Sequence, residues 1–233
     1  MKIKANDPQL GDISGAKERE SGGQRELERI IFFSDAVFAI AITLLVLDIR
    51  VPSVPQDLVT SELPQAIAAL WPKFLSYIIS FVVIGLYCWQ EHHRTFRYIT
   101  SYDDRLVALN LFLLMGVAFL PFSVSLISAY GAERIALLIY LGHLSAIALL
   151  LDALLWYAQR RKLTAPALTL ELFTQMLVKG LRLPVVCLIG AAVSLVNPAA
   201  SLLAFVLLGP IRLVLTLLFK GWRHRPTKQR ASP

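Results

Sequence analysis

Ser34 and Asp35 are the residues of this chain best placed to do chemistry. They close the segment Arg29-Ile-Ile-Phe-Phe33-Ser34-Asp35, which runs straight into the apolar stretch Ala36 to Leu47, broken only by Thr43. A charged side chain at membrane depth costs roughly 2.5–3.5 kcal/mol on insertion scales, so an acidic residue kept there marks a functional site or a polar clamp between helices. Both readings are open for Asp35: a structural clamp, or a direct part in moving ions.

An N-cap explanation of Ser34-Asp35 fails on length. A helix starting at Ala36 would offer only about 15 residues before Arg50-Val51-Pro52, and a span needs about 20. Gln24-Arg-Glu-Leu-Glu28 is a good helix former, so the helix is expected to start earlier. At about 100° per residue, Ile40, Leu44 and Leu47 then fall within about 60° of one another, with Thr43 beside them. Asp35 lies about 140° from Ile40. The helix therefore has an aliphatic stripe with one hydroxyl, open to lipid or to a neighbour, and an opposite face that carries Ser34 and Asp35 toward other helices. Arg29 and Asp35 are six residues apart and do not form an i,i+4 pair. Asp35 needs a partner from elsewhere, and His92, His93, Arg182 and Arg212 stand at matching depth.

The remaining polar residues suggest packing more than reaction. His92 and His93 point about 100° apart on a helix and cannot easily share one metal ion without further ligands; they are expected to pack against Asp35. His143 and Asp152 could form a proton relay, but nine residues apart on one helix they do not touch. Asn110 and Ser123 are expected to bond between helices, and Arg212 to be paired or to snorkel. No nucleophile–base constellation, phosphate loop or metal-spaced cysteine cluster occurs, so neither an enzyme nor a cofactor is expected. Cys88 and Cys187 lie inside apolar blocks and imply no disulfide framework.

These residues must be held by membrane-spanning helices. Of 233 residues, 56% are hydrophobic, the mean hydropathy is +0.62, and the apolar residues lie in long blocks. Six spans are predicted, at 28–49, 67–90, 105–128, 134–158, 174–196 and 199–220, making an all-α polytopic membrane protein. The fifth is interrupted by Lys179, Arg182 and Pro184, and Thr164 to Met176 could instead be an interfacial helix. Residues 1–24 suggest a disordered tail, 25–221 a transmembrane domain and 222–233 a basic tail; no cleaved signal peptide is expected. The net charge of +7 reflects basic residues beside alternate helix ends rather than nucleic-acid binding. Those ends belong to the cytoplasm, so both termini are expected there, consistent with an even number of spans. The Arg29–Asp35 motif has no internal repeat, which argues against an inverted-repeat transporter.

Arg29-x-x-x-Phe33-Ser34-Asp35 at the start of the first span resembles the signature of the bacterial branch of the transmembrane protein 175 family of potassium channels. Trp89-Gln-Glu-His92-His93-Arg-Thr-Phe96 and the run from Asp104 through Asn110 to Pro121-Phe122 are similar to that family as well. The resemblance implies a homotetramer in a bacterial plasma membrane, with potassium ions as the permeant partner and the first helix of each subunit lining a central pore. It implies a constriction at Ile40, Leu44 and Leu47, with Thr43 nearby as a selectivity hydroxyl. It also implies that Arg29, Phe33, Ser34, Asp35, His92 and His93 act as a helix clamp away from the pore axis. The chain has no Thr-Val-Gly-Tyr-Gly loop, so any potassium preference needs a different device. Two other functions compete: a proton-coupled secondary transporter using Asp35, Asp152 and His143, and an accessory membrane protein without transport activity.

Overall fold

Long apolar runs in a sequence with few strand-favouring alternations leave the backbone one economical solution, which is to bond to itself in helices. The computed structural model describes residues 8–131, 133–198 and 200–201. Among them the secondary structure is helical apart from one isolated antiparallel bridge, Ile99 to Thr164. Helix α1 spans Pro8–Leu44 and ends in a 3₁₀ turn at Leu45–Asp48. Helices α2 (Val59–Ala68) and α3 (Trp71–Val82) lead into a π-helical turn, Val83–Trp89, and then α4 (Gln90–Phe96). Helices α5 (Asp104–Tyr130) and α6 (Arg134–Arg160) are long and continuous. Helices α7 (Leu170–Gly180) and α8 (Arg182–Ser194) follow end to end.

Five segments are long and apolar enough to cross a membrane: Gly22–Asp48, Gln56–Phe96, Asp104–Tyr130, Arg134–Arg160 and Leu170–Ser194. They correspond to the first five spans expected from the sequence, of which 28–49 and 174–196 run one and two residues past the observed ends. The sixth, 199–220, lies almost entirely outside the described residues, as do Arg212 and the basic tail. Helix α1 starts at Pro8, inside the stretch expected as a tail and upstream of Gln24. Once a helix is nucleated, each further residue costs little.

The core sits where α1, α3, α5, α6 and α8 meet, around Phe38, Ile84, Leu113, Leu137, Tyr140 and Leu144. Inside it, the hydroxyls of Ser80 and Tyr140 lie 2.9 Å apart and satisfy each other. The fifth span breaks at Leu181 for a local reason. Pro184 has no N–H to return to the Gly180 carbonyl, four residues back. The Tyr87 hydroxyl fills the gap from the second span, 2.7 Å from the Gly180 oxygen and 2.9 Å from that of Lys179. Asp152 of α6 packs so closely on this joint that a Cβ on Gly180 would stand 1.8 Å from its Oδ1.

At one end of the bundle the turn after α4 and the turn after α6 are bonded together. Thr100 N–H donates to the Leu163 carbonyl at 2.9 Å and Ala165 N–H to that of Tyr98 at 2.8 Å. Asp103 caps α5 by accepting from Leu106 N–H at 2.8 Å and also accepts from the Tyr157 hydroxyl at 2.7 Å. Burial pushes the Asp103 carboxyl up, but the Leu106 amide, the Tyr157 hydroxyl and the nearby Arg161 and Arg105 outweigh it, so it is held below the usual carboxylate range.

Candidate functional site

Helix α1 presents two different faces. Leu27, Ser34, Phe38, Ala41 and Leu45 are buried against the rest of the subunit. Ile40, Leu44 and Leu47 are 57%, 41% and 67% exposed. Thr43 is exposed beside them, its hydroxyl donating back to the Ile40 carbonyl at 2.9 Å. At about 100° per residue Arg29 and Phe33 fall on the same side as Ile40, and both are exposed. Arg29 pairs with Glu26 one turn earlier, at 3.0 Å. The structure therefore does not bring Arg29 or Phe33 together with Ser34 inside the subunit.

Ser34, Asn110 and His92 do come together, from three different spans. Asn110 Nδ2 donates to Ser34 Oγ at 3.0 Å, and Ser34 Oγ donates to the Ile30 carbonyl at 2.8 Å. With the Asn110 amide nitrogen so engaged, its oxygen faces His92 Nε2 at 3.0 Å. An amide oxygen only accepts, so Nε2 carries the proton, and in the neutral ring Nδ1 is left as a bare acceptor. Nδ1 is buried with no hydrogen-bond partner. Phe38 and Phe96 flank the imidazole, with ring centroids 5.3 and 4.5 Å away. Ser34 and His92 are 0% exposed and Asn110 2%, so each hydrogen bond of this chain replaces one that water cannot supply.

Asp35 turns away from that chain. The Trp89 indole N–H donates to its Oδ1 at 2.9 Å, and His93 stacks on the Trp89 ring at 5.7 Å between centroids. It is Trp89, rather than either histidine, that reaches the carboxylate. Residue spacing could have suggested it: an indole at a helix end presents an apolar body and one donor. The π turn that ends at Trp89 widens the backbone there, and such turns cluster at functional positions. In the 3₁₀ turn that follows α1, Ser125 of α5 donates to Asp48 Oδ1 at 2.6 Å. Thus α1 is fastened within its second half, at Ser34 and Asp35, and again just past its C-terminal end, at Asp48, by side chains of neighbouring spans, while its aliphatic stripe faces outward.

The residues a proton relay would need are held separately. His143 Nδ1 lies 2.8 Å from Ser123 Oγ and its Nε2 3.0 Å from the Gly116 carbonyl, so both ring nitrogens are engaged on α5. Asp152 packs on the α7–α8 joint, and Asp35 bonds Trp89. Among the described residues no group of three or more His, Cys, Asp or Glu side chains could hold a metal ion.

The family described as the endosomal/lysosomal potassium channel TMEM175 matches residues 29–121, which contain the Arg29–Asp35 motif, Trp89, His92, His93 and Asn110. A protein of Chamaesiphon minutus named as a potassium channel is 41% identical over 138 residues, covering 58% of this chain and 67% of that protein. A potassium channel of Streptomyces collinus is 40% identical over 139 residues, covering 58% of this chain and 66% of that one. The alignments thus span about two thirds of the length of these relatives. The crystal structure of a lysosomal potassium-selective channel TMEM175 homolog from Chamaesiphon minutus superposes with a TM-score of 0.66 at 34% identity, covering 82% of this chain and 99% of that one. This helical chain, whose motif-bearing first helix is clamped by the second and third spans and which is matched in sequence and in fold, belongs to the TMEM175 family.

Proposed function

We propose that this protein is a potassium-permeable cation channel of a bacterial inner membrane, assembled as a homotetramer with the first helix of each subunit at the central axis. The observation that carries the reading is the match, at 34% identity over 99% of its length, to a potassium-selective channel subunit. The geometry of α1 supports it: a polar clamp is satisfied inside the subunit, while Ile40, Leu44 and Leu47 stand exposed on the opposite face. Four copies of that stripe would stack three aliphatic rings over roughly 10 Å, and a narrow apolar pore resists wetting. Thr43 would offer one hydroxyl beside the rings. Ser34, Asp35, His92 and His93 would hold the helix from behind, with Arg29 and Phe33 on its open side.

On this reading 199–220 is a sixth span, 25–221 is the channel domain, and the tails at 1–24 and 222–233 are cytoplasmic. The alternating basic loops support that orientation. The lipid bilayer and further copies of the chain are then the macromolecular partners. Reconstitution into a planar bilayer under a potassium–sodium gradient tests the function. A channel gives discrete current steps and a reversal potential displaced toward that of potassium. Saturating, slow transport without steps would mean a carrier, and no current at all an accessory protein; either outcome overturns the proposal.

A further inference from the structure

Six cationic side chains from two distant segments gather at one end of the bundle: Arg94, Arg97 and Arg105 around the turn between the second and third spans, and Arg160, Arg161 and Lys162 at the end of the fourth. The bridge from Ile99 to Thr164 joins the two segments, and the backbone bonds of Thr100 and Ala165 fix them to each other. Six cations and three carboxylates, Glu91, Asp103 and Asp104, leave a net charge of +3 over residues 91–105 and 160–165, with Glu91 paired to Arg94. Asp103 already accepts from Leu106 and Tyr157 and stands 3.8 Å from Arg161 Nε.

Basic residues beside a helix end are ordinary, but two features here are not. Lys162 has a left-handed backbone, with φ of 58°. It closes the end of α6: Lys162 N–H donates to the Gln159 carbonyl at 3.2 Å and Leu163 N–H to that of Ala158 at 2.9 Å. Glycine is the favoured residue at such a position, because a Cβ is strained there. A lysine brings strain that glycine would not, and what it adds is an exposed cation. The second feature is Trp156, 49% exposed, with the Arg160 guanidinium 5.2 Å from its ring centroid. A half-exposed indole near a helix end belongs at the headgroup level of a bilayer, so Arg160 is held at the depth of lipid phosphates.

We propose that these two bonded segments form a binding site for the phosphate of an anionic phospholipid, taken from the leaflet that faces them. The indole favours a lipid over a soluble anion, which would gain nothing from an aromatic anchor. On the orientation proposed above this is the cytoplasmic leaflet; the binding itself rests neither on that orientation nor on ion conduction.

The test uses the full-length protein in detergent, titrated with short-chain phosphatidylglycerol, short-chain phosphatidylcholine or inorganic phosphate. The thermal midpoint and lipid retained in native mass spectrometry are read. Phosphatidylglycerol should raise the midpoint saturably, and the other two should not. Lys162→Gly suits the left-handed backbone and so should fold at least as well as the parent. It should need about fivefold more phosphatidylglycerol, and Lys162→Gly with Arg160→Gln more again. Arg25→Gln, which removes an exposed cation of α1 outside these segments, should titrate as the parent does. Equal responses to phosphatidylglycerol and phosphatidylcholine, an equal response to inorganic phosphate, a Lys162→Gly variant that titrates as the parent, or an equal loss in Arg25→Gln would each overturn the site. Because no ion flux is measured, failure here is distinct from failure of the channel assignment.

Discussion

At the scale of single residues, the clamp behind α1 is a chain in which one amide serves two partners. Asn110 donates to Ser34 and accepts from His92, both fully buried. Removing it orphans the His92 Nε2–H and takes the incoming donor from Ser34, which keeps its bond to Ile30, whereas removing Ser34 leaves one N–H of the Asn110 amide unpaired. Orphaned buried polar groups cost about 1–3 kcal/mol each. Asn110→Ala should therefore destabilise the purified protein more than Ser34→Ala, and the double variant should fall short of their sum. An Asn110→Ala protein that melts with the parent would remove the clamp from the account. Asp103 makes a prediction about pH. Its folded-state carboxyl is held below the ordinary value of about 3.9, so its ionised form is the one the fold favours. The stability it contributes is present above that ordinary value and is lost as pH falls through the lower, folded one. Thermal midpoints between pH 7 and pH 3 should decline less steeply in Asp103→Asn than in the parent; parallel curves would count against it.

Among the elements, α1 and the broken fifth span carry opposite designs. Helix α1 is continuous and uses its two faces for two purposes. Phe38 is buried against His92 and Ile40 is exposed on the far side. If the exposed stripe forms the constriction, Ile40→Asn wets it, raising current per assembled channel and weakening the preference for potassium over sodium. Phe38→Asn instead places an amide in the core, and lowers the yield of assembled protein without that gain. Current and reversal potential for the two variants decide the matter, and parental values at position 40 would move the gate elsewhere. The fifth span depends on Gly180, since a side chain there collides with the Asp152 carboxylate. Gly180→Ala should lower the thermal midpoint, and adding Asp152→Ala should recover part of the loss by opening the space. A Gly180→Ala protein as stable as the parent would mean that the α7–α8 joint shifts freely.

For the whole molecule, the open question is what covers the outward face of α1. One subunit contributes one such helix, and a single helix cannot enclose a pore. Closed cyclic symmetry is the usual arrangement for identical subunits. A cysteine introduced at position 40 or 44 should crosslink subunits in pairs, and a bifunctional lysine-directed reagent should give a ladder that ends at four. Cys88 and Cys187 are buried and add little background. Protein that stays monomeric at high concentration, with no crosslinking at either position, would refute the assembly.

Local chemistry determined much of this in advance. The long apolar runs allow only helices in a bilayer, and 100° periodicity separates Ile40, Leu44 and Leu47 from Ser34 and Asp35. Neither conclusion needs a partner element, because both are properties of one segment. The motif around Arg29 to Asp35 likewise pointed to the family. Tertiary structure decided who meets whom. Trp89, not His92 or His93, reaches Asp35. His92 turns to Asn110, and Arg29 and Phe33 stay on the open side of α1. The π turn before Trp89 changes the register of everything after it, and no periodicity rule written for a regular helix anticipates that. The close approach of Asp152 to Gly180 and the joining of the two basic turns were equally hidden. Each depends on contacts between residues dozens of positions apart, whose distance is set by how helices pack rather than by the identity of either residue.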